Sequence, residues 1–466
     1  MNVIVLFIRS ILLARLLPVE VFGIYGFAAA IVGLSVTAVD FGMGRAFMHR
    51  APETEDEEQA ASVHFTLKLI FVLVWIAMLT GGAFIFTDGL NRSALLLLIM
   101  TTGGTQLAQT PKAILSRRVV HRRLALINLI GVLLSTLLAL ALAWRGVALW
   151  ALLTIDLATL TVTLVGLYVW KPVWRPRVAW SWSIARYFLR FGRSQFLASA
   201  LWVALDRIDD LWTGVYLGTT PLGLYSRAFA FATYPRTFLA TPINTVAGGA
   251  LSELKGDRLG LSQTFFRLNS LLVRSGFFLA GLMNLVAPEF IRLFLGVKWL
   301  PMLGAFRLML VFTLLDPLRK TLSHLFGAVG KPEQVIPSLL IRLLVLVVGL
   351  FVLGPWLGIA GVALAVNAML VVGTAILLWQ AKAYVDYSLA RMFGPPALAL
   401  ILGILLATGA SRLRFTLGSD WTSGLAKAIS FLATYGTILL AIERREAARM
   451  LSLIVQLFHR NERHET

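Results

Sequence analysis

Apolar blocks of about 20 residues, the length that crosses a bilayer as an α-helix, recur along the whole chain and are separated by short polar turns. By that length rule the chain holds about fourteen spans. Their centres fall near Ile8, Ile31, Val74, Thr101, Leu133 and Ala158, then near Trp202, Tyr234, Leu279, Thr313, Leu344 and Val366, with two more near Ile401 and Leu432. The short alternating segments of a β-barrel are absent. The pattern predicts an all-α polytopic membrane protein. The first apolar run leads straight into Arg15 and Pro18 without a small-residue cleavage site, so no cleavable signal peptide is expected.

The pattern also repeats. The segment Leu16-Leu17-Pro18-Val19-Glu20-Val21-Phe22-Gly23-Ile24-Tyr25 returns as Tyr216-Leu217-Gly218-Thr219-Thr220-Pro221-Leu222-Gly223-Leu224-Tyr225, and Gly146-Val147-Ala148-Leu149-Trp150-Ala151 returns as Gly358-Ile359-Ala360-Gly361-Val362-Ala363. Order is kept and the offsets are similar. Two related helical halves with a site between them are the usual build of a membrane transporter. The expected organisation is an N-terminal six-helix lobe over 1–170, a cytoplasmic linker over 171–186, a second six-helix lobe over 187–381, two additional helices over 382–442 and a basic cytoplasmic tail over 443–466.

Composition agrees with the spans. The chain has 466 residues, 58% hydrophobic and 14% charged, whereas ordinary soluble domains are about a quarter charged. It contains no cysteine, which excludes thiol catalysis, disulfides and Cys-based metal sites. The net charge of +19 does not point to nucleic acid, because the basic residues lie between apolar runs or inside them. Lys and Arg concentrate in alternate connections: Arg45 and Arg50; Lys112, Arg117, Arg118, Arg122 and Arg123; Lys171, Arg175, Arg177 and Arg186; and the tail Arg444, Arg445 and Arg449. The connections between these carry only Arg92, Arg145, Lys298, or Arg412 with Arg414. The positive-inside rule then puts both termini in the cytoplasm. The acidic run Glu53, Glu55, Asp56, Glu57 and Glu58 reads as a solvated cytoplasmic loop.

Candidate chemistry lies in charges that interrupt apolar runs, since these are costly in lipid and face a cavity or a partner. Arg9, Arg193, Arg236 and Arg274 each sit well inside a span with no local carboxylate. A guanidinium cannot shed its charge, so each needs an anion, a water-filled cavity, or a carboxylate from another helix such as Asp40 or Asp156. As a set they describe a cationic cavity for an anionic substrate, and the planar guanidinium fork suits phosphate. Asp40, Asp156, Asp206, Arg207 and Asp209 are the candidates for ion or proton coupling, or for gating. Asp206 and Asp210 share a helix face, and Arg207 and Asp210 can pair across one turn, so a self-neutralising cluster is the alternative there. The scattered histidines form no metal-ligand pair, and no nucleophile elbow or phosphate loop occurs. His324 reads as a packed polar residue. Trp170, Trp174, Trp180 and Trp182 read as an interfacial belt, and Gly81-Gly82 and Gly103-Gly104 as sites of close helix packing.

Several motifs resemble Wzx-type polysaccharide and O-antigen flippases of the multidrug/oligosaccharidyl-lipid/polysaccharide exporter superfamily. They are Leu12-Leu13-Ala14-Arg15-Leu16-Leu17-Pro18 through Phe22-Gly23, Asp40-Phe41-Gly42-Met43-Gly44, Gln109-Thr110-Pro111-Lys112-Ala113-Ile114-Leu115-Ser116-Arg117, Asp206 through Gly218, Leu222-Gly223-Leu224-Tyr225-Ser226-Arg227-Ala228, and Leu295-Gly296-Val297-Lys298-Trp299. The resemblance runs from about residue 11 to about 380, and more loosely to 440. It implies two six-helix lobes in a V plus two extra helices, alternating access, and a cationic cavity for a diphosphate. The implied substrate is an undecaprenyl-diphosphate-linked oligosaccharide crossing the bacterial inner membrane, with a polysaccharide polymerase and chain-length proteins as partners. No cofactor is expected, and an H+ or Na+ gradient is the candidate drive. Three alternatives stay open: an ion-coupled small-molecule exporter of the same fold, a lipid II flippase, and a membrane polysaccharide polymerase or ligase. A basic cavity argues against export of cationic drugs, and the lack of a sizeable external loop argues against the enzymes.

Overall fold

The computed structural model describes residues 2–50, 57–413 and 419–443. Glu53, Glu55 and Asp56 of the acidic run, Arg414, and the basic tail with Arg444, Arg445 and Arg449 lie outside the described residues. Among the described residues every regular element is a helix. In order these are α1 (Asn2–Leu16), α2 (Val19–Asp40), α3 (Met43–His49), α4 (Glu57–Phe86), α5 (Gly89–Leu107), α6 (Gln109–Arg117), α7 (His121–Trp144), α8 (Ala148–Leu164), α9 (Trp182–Tyr216), α10 (Thr219–Glu253), α11 (Arg258–Phe290), α12 (Leu303–Ala328), α13 (Val335–Leu357), α14 (Ile359–Ala381), α15 (Leu389–Leu413) and α16 (Asp420–Ile442). The chain is an all-helical, multi-pass membrane protein: ten of these segments are long and apolar enough to cross a bilayer.

Each expected span centre falls inside a helix of its own. The four helices that carry a centre without meeting the length and hydropathy rule are α1, α5, α9 and α10. α1 has only 15 residues. α9 and α10 have 35 residues each and mix charged and polar residues into the apolar run. α3 and α6 are short helices inside two of the basic connections, which the span pattern does not reveal.

The described residues pack as two compact units, one of 1–230 with 336–369 and one of 231–335 with those from 370 onward. In the first unit the two sequence repeats meet. α2 and α10 cross at Gly23 and Gly223, so closely that a Cβ on Gly23 would lie 1.7 Å from the Thr219 carbonyl oxygen and one on Gly223 2.2 Å from that of Val19. Thr219 and Gly223 are the repeat counterparts of Val19 and Gly23, so the contact is reciprocal. The other repeated glycines, Gly146 and Gly358, turn α7 into α8 and α13 into α14 with φ of +78° and +57°, a conformation that glycine adopts without a Cβ clash.

The same unit corrects two expectations. Trp174 is buried against Phe65, among Phe47, Phe188 and Ile184, whereas Trp170, Trp180 and Trp182 are exposed. The linker is thus partly folded into the core. Gly103 and Gly104 do pack tightly, against Ile76 and Leu160, but nothing lies within 4 Å of a Cβ on Gly81 or Gly82.

The second unit is organised on α11, which α15 and α16 flank. Phe431 of α16 fills the space over Gly281 of α11 and Gly403 of α15. Ion pairs Lys427–Glu289, Arg274 with Glu443 just past α16, and Arg292 just past α11 with Asp420 join α11 and the turn after it to α16.

A valine at Gly23 or Gly223 must push two helix backbones apart, and such overpacking costs about 1–3 kcal/mol. Gly23→Val and Gly223→Val are expected to lower the apparent melting temperature of the purified protein, while Gly81→Val leaves it unchanged. Equal melting of all three would show that the crossing does not support the fold.

Candidate functional site

In the first unit the sequence candidates form a polar network on several helices. Tyr25 of α2 donates its hydroxyl to Asp156 Oδ2 of α8 at 2.9 Å. Arg9 of α1 reaches Ser135 Oγ of α7 at 3.2 Å. Arg227 of α10 reaches Ser10 Oγ at 3.4 Å and lies over the Phe22 ring. Along α9, Asp209 is buried and accepts a hydrogen bond from Tyr225. Arg207 lies 3.7 Å from Asp210, the one-turn pair expected from spacing. Asp206 and Arg193 are exposed. Tyr25 and Tyr225 occupy the same place in the two repeats, and each ties a carboxylate on another helix. The repeated Gly-aliphatic-Tyr motif carried that signal.

Asp40 pairs with a lysine rather than with one of the candidate arginines: Lys68 Nζ donates to its Oδ1 at 2.8 Å. Spacing hides this pair, because Lys68 stands within the apolar run of α4.

In the second unit Arg274 is 5% exposed and donates from Nε and Nη2 to the two carboxylate oxygens of Glu443, at 2.6 and 2.5 Å. A fork already filled by one carboxylate has little left for a phosphate. Arg274 is therefore a packing residue in this structure, clamped to the end of α16. Glu443 lies at the edge of the last apolar run, outside the span pattern.

Arg236 has a different setting. It follows Pro235 on α10 and points to Asp316 of α12, which also accepts from Arg319 and lies 3.4 Å from Lys320 Nζ. Three cations thus surround one carboxylate. Asp316 and Arg319 are buried, whereas the Lys320 side chain is 45% exposed. Arg236 and Lys320 border a cavity of about 350 Å³ lined also by Ala240, Thr241, Asn244, Thr245 and His324. Helical geometry builds it: Arg236 and Asn244 lie two turns apart on one face of α10, and Asp316, Lys320 and His324 follow at four-residue intervals on α12. Asn244 is fixed by a hydrogen bond from Thr321 Oγ1 at 2.8 Å. His324 is exposed beside Gly248, not packed away as its sequence context suggests. Pro235, Pro242 and Pro317 interrupt the backbone ladders of both helices, and Thr313 Oγ1 joins them by donating to the Ala232 carbonyl.

The lining of this cavity is rich in hydrogen-bond donors. A guanidinium supplies directed hydrogen bonds, an ammonium a mobile point charge, and Thr241, Thr245 and Asn244 neutral polar contacts. Among the described residues no group of His, Asp and Glu is arranged to hold a metal ion.

A sequence profile described as polysaccharide biosynthesis protein matches residues 12–304. An uncharacterized membrane protein in the cps region of Klebsiella pneumoniae is 24% identical over 390 residues, 78% of this chain and 77% of that one. The succinoglycan biosynthesis transport protein ExoT of Rhizobium meliloti is 27% identical over 318 residues, 64% of this chain and 61% of its own. The lipopolysaccharide biosynthesis protein WzxC of Escherichia coli K12 is 23% identical over 376 residues, 79% and 75% of the two chains. Among solved structures, the lipid II flippase MurJ in an inward closed conformation superposes with a TM-score of 0.79 at 14% identity, covering 95% of this chain and 97% of that one. An inward-facing multidrug resistance MATE family transporter of the MOP superfamily gives 0.63 at 19% identity, covering 82% and 94%. Both likenesses concern the fold.

Asp316 is the only carboxylate that these cations share among the described residues. Asp316→Ala strands three positive charges, and an uncompensated buried charge costs about 3–5 kcal/mol. Arg236→Ala leaves Asp316 with two partners. Asp316→Ala is expected to reduce accumulation and melting temperature sharply and Arg236→Ala only slightly; the reverse order would mean that Asp316 is not the hub.

Proposed function

The chain belongs to the polysaccharide biosynthesis protein family, and from that premise we propose that it is a flippase for undecaprenyl-diphosphate-linked oligosaccharide. It carries repeat units from the inner to the outer leaflet of the bacterial inner membrane by alternating access, for exopolysaccharide, O-antigen or capsule synthesis. The surplus of cations around the cavity of the second unit is the observation that carries this reading. An oligosaccharide diphosphate cannot enter hydrocarbon unaided, because its polar groups would lose water without replacement. Arg236 and Lys320 offer the diphosphate a replacement for that water, while the polyprenyl tail stays in lipid.

Relatives named for succinoglycan transport and lipopolysaccharide biosynthesis support the substrate class. The lipid II flippase fold is compatible with it. A cationic cavity suits neither a cationic drug nor a sugar-transfer reaction, which needs an acid or base beside the acceptor. Arg9 and Arg193 add positive charge in the first unit. The polysaccharide polymerase and chain-length proteins are the proposed partners downstream, and both termini are placed in the cytoplasm.

An H+ or Na+ gradient is the proposed drive, acting through Asp206, Asp156 or Asp209. Asp156 and Asp209 are already held by Tyr25 and Tyr225, which makes the exposed Asp206 the most accessible of the three. Asp206→Asn is expected to remove the pH or sodium dependence of transport. Unchanged dependence in that variant excludes Asp206 as the coupling group.

The deciding experiment measures leaflet sidedness in a deletion strain, with a membrane-impermeant periplasmic probe for lipid-linked oligosaccharide. Accumulation on the cytoplasmic face, reversed by the wild-type gene, is expected. Lys320→Ala should restore transport at no more than about a tenth of the wild-type rate, the loss of one charge-assisted hydrogen bond. Normal exposure with unpolymerised units outside would place the protein downstream, as a polymerase or ligase.

A further inference from the structure

The first unit holds a buried ammonium that the transport reading leaves unused. Lys68 of α4 is fully enclosed. Its Nζ lies 2.8 Å from Asp40 Oδ1, 3.1 Å from Gln106 Oε1, and 3.4 Å from the carbonyl oxygens of both Val39 and Asp40. Four oxygens from α2 and α5 therefore converge on a charge that α4 delivers. These oxygens meet the hydrogen-bonding needs of a single positive charge. One carboxylate matches one positive charge. Val39 and Asp40 also end α2, where the last carbonyls lack helical partners and carry the negative end of the helix dipole.

These are the N–H···O distances of an ammonium, longer than the roughly 2.3–2.6 Å of calcium–oxygen bonds, and the single carboxylate among the four oxygens matches a singly charged ion such as potassium or a primary ammonium. One wall opens outward, because the Asp40 side chain is 41% exposed. The filled shell also has a mechanical consequence. Directly after it Phe41 and Gly42 take left-handed conformations, with φ of 41° and 66°. The Phe41 carbonyl oxygen then seats on α9, 2.2 Å from where a Cβ on Gly192 would be. The shell holds the end of α2 from which that strained turn departs.

We infer that the oxygen cage of Asp40, Gln106 and the α2 terminus is a monovalent-cation site whose ion is part of the chain, so that removing the Lys68 side chain opens it to a free potassium- or ammonium-sized ion. This inference stands apart from the identity of the transported lipid. It leaves the charge at Asp40 compensated by the chain's own ammonium, and so sets that carboxylate apart from an exchange of free coupling ions in the wild-type protein.

The test uses the full chain in detergent, with apparent melting temperature read against methylammonium, potassium and choline chlorides at constant ionic strength. Lys68→Ala empties the cage, and Lys68→Met removes the charge while keeping the volume of the stem. Lys68→Ala is expected to gain about 3–5 °C, saturably, with methylammonium or potassium but not with choline. Wild type, Lys68→Met and the double variant Lys68→Ala/Asp40→Asn should not respond. A Lys68→Ala variant indifferent to the nature of the cation would overturn the inference. So would an equal response from Lys68→Met or wild type. Failure of Lys68→Ala to accumulate even with methylammonium present through growth and purification counts equally against it.

Discussion

An arginine or lysine inside an apolar helix keeps its charge and has to be met by oxygen. In lipid the alternative is several kcal/mol of lost solvation, so these meetings decide which helices lie together within each unit. Lys68 draws the end of α2 to α4 and α5. Asp316 draws α10 to α12 through Arg236. Glu443 and Lys427 bind α16 along α11 through Arg274 and Glu289. The apolar faces, which are alike in composition, do not discriminate among partners in this way; a misplaced charge leaves an unpaired ion and excludes the wrong arrangement.

Glycine supplies the second constraint, on distance rather than on partner. Gly23 and Gly223 let α2 and α10 approach to backbone contact, and Gly354 makes room for the Trp212 ring. Gly281 and Gly403 receive Phe431. Without an apolar solvent difference to drive helices together in a bilayer, such close packing supplies the dispersion contacts that hold them. The reciprocal Gly23–Gly223 contact also gives the repeat a physical meaning, because the same local motif serves as both partner surfaces of one crossing.

The cavity of the second unit arises where the first constraint is met incompletely. Three cations share Asp316, and the prolines of α10 and α12 interrupt the helical ladders beside it. What remains beside them is a pocket lined by Arg236, Lys320, His324 and neutral polar side chains. Elsewhere in that unit Arg274 bonds both carboxylate oxygens of Glu443. Two arginines that look alike along the chain thus have different settings, one clamped to a carboxylate in packing and one bordering a cavity.

The helical spans, the repeat and the membrane setting were all legible along the chain, because hydropathy, length and local motif are one-dimensional properties. The one-turn contact of Arg207 with Asp210 was legible for the same reason. The tertiary structure alone decided the partner of each cation: Lys68 with Asp40 over 28 positions, Arg236 with Asp316 over 80 and Arg274 with Glu443 over 169. It also decided that Trp174 is core, that Gly81 and Gly82 face open space, and that Lys320, His324 and Asn244 line a cavity. Helical periodicity shows which residues share a face. Which face meets which depends on matching charge and volume between helices far apart in sequence, and only the folded chain brings those helices together.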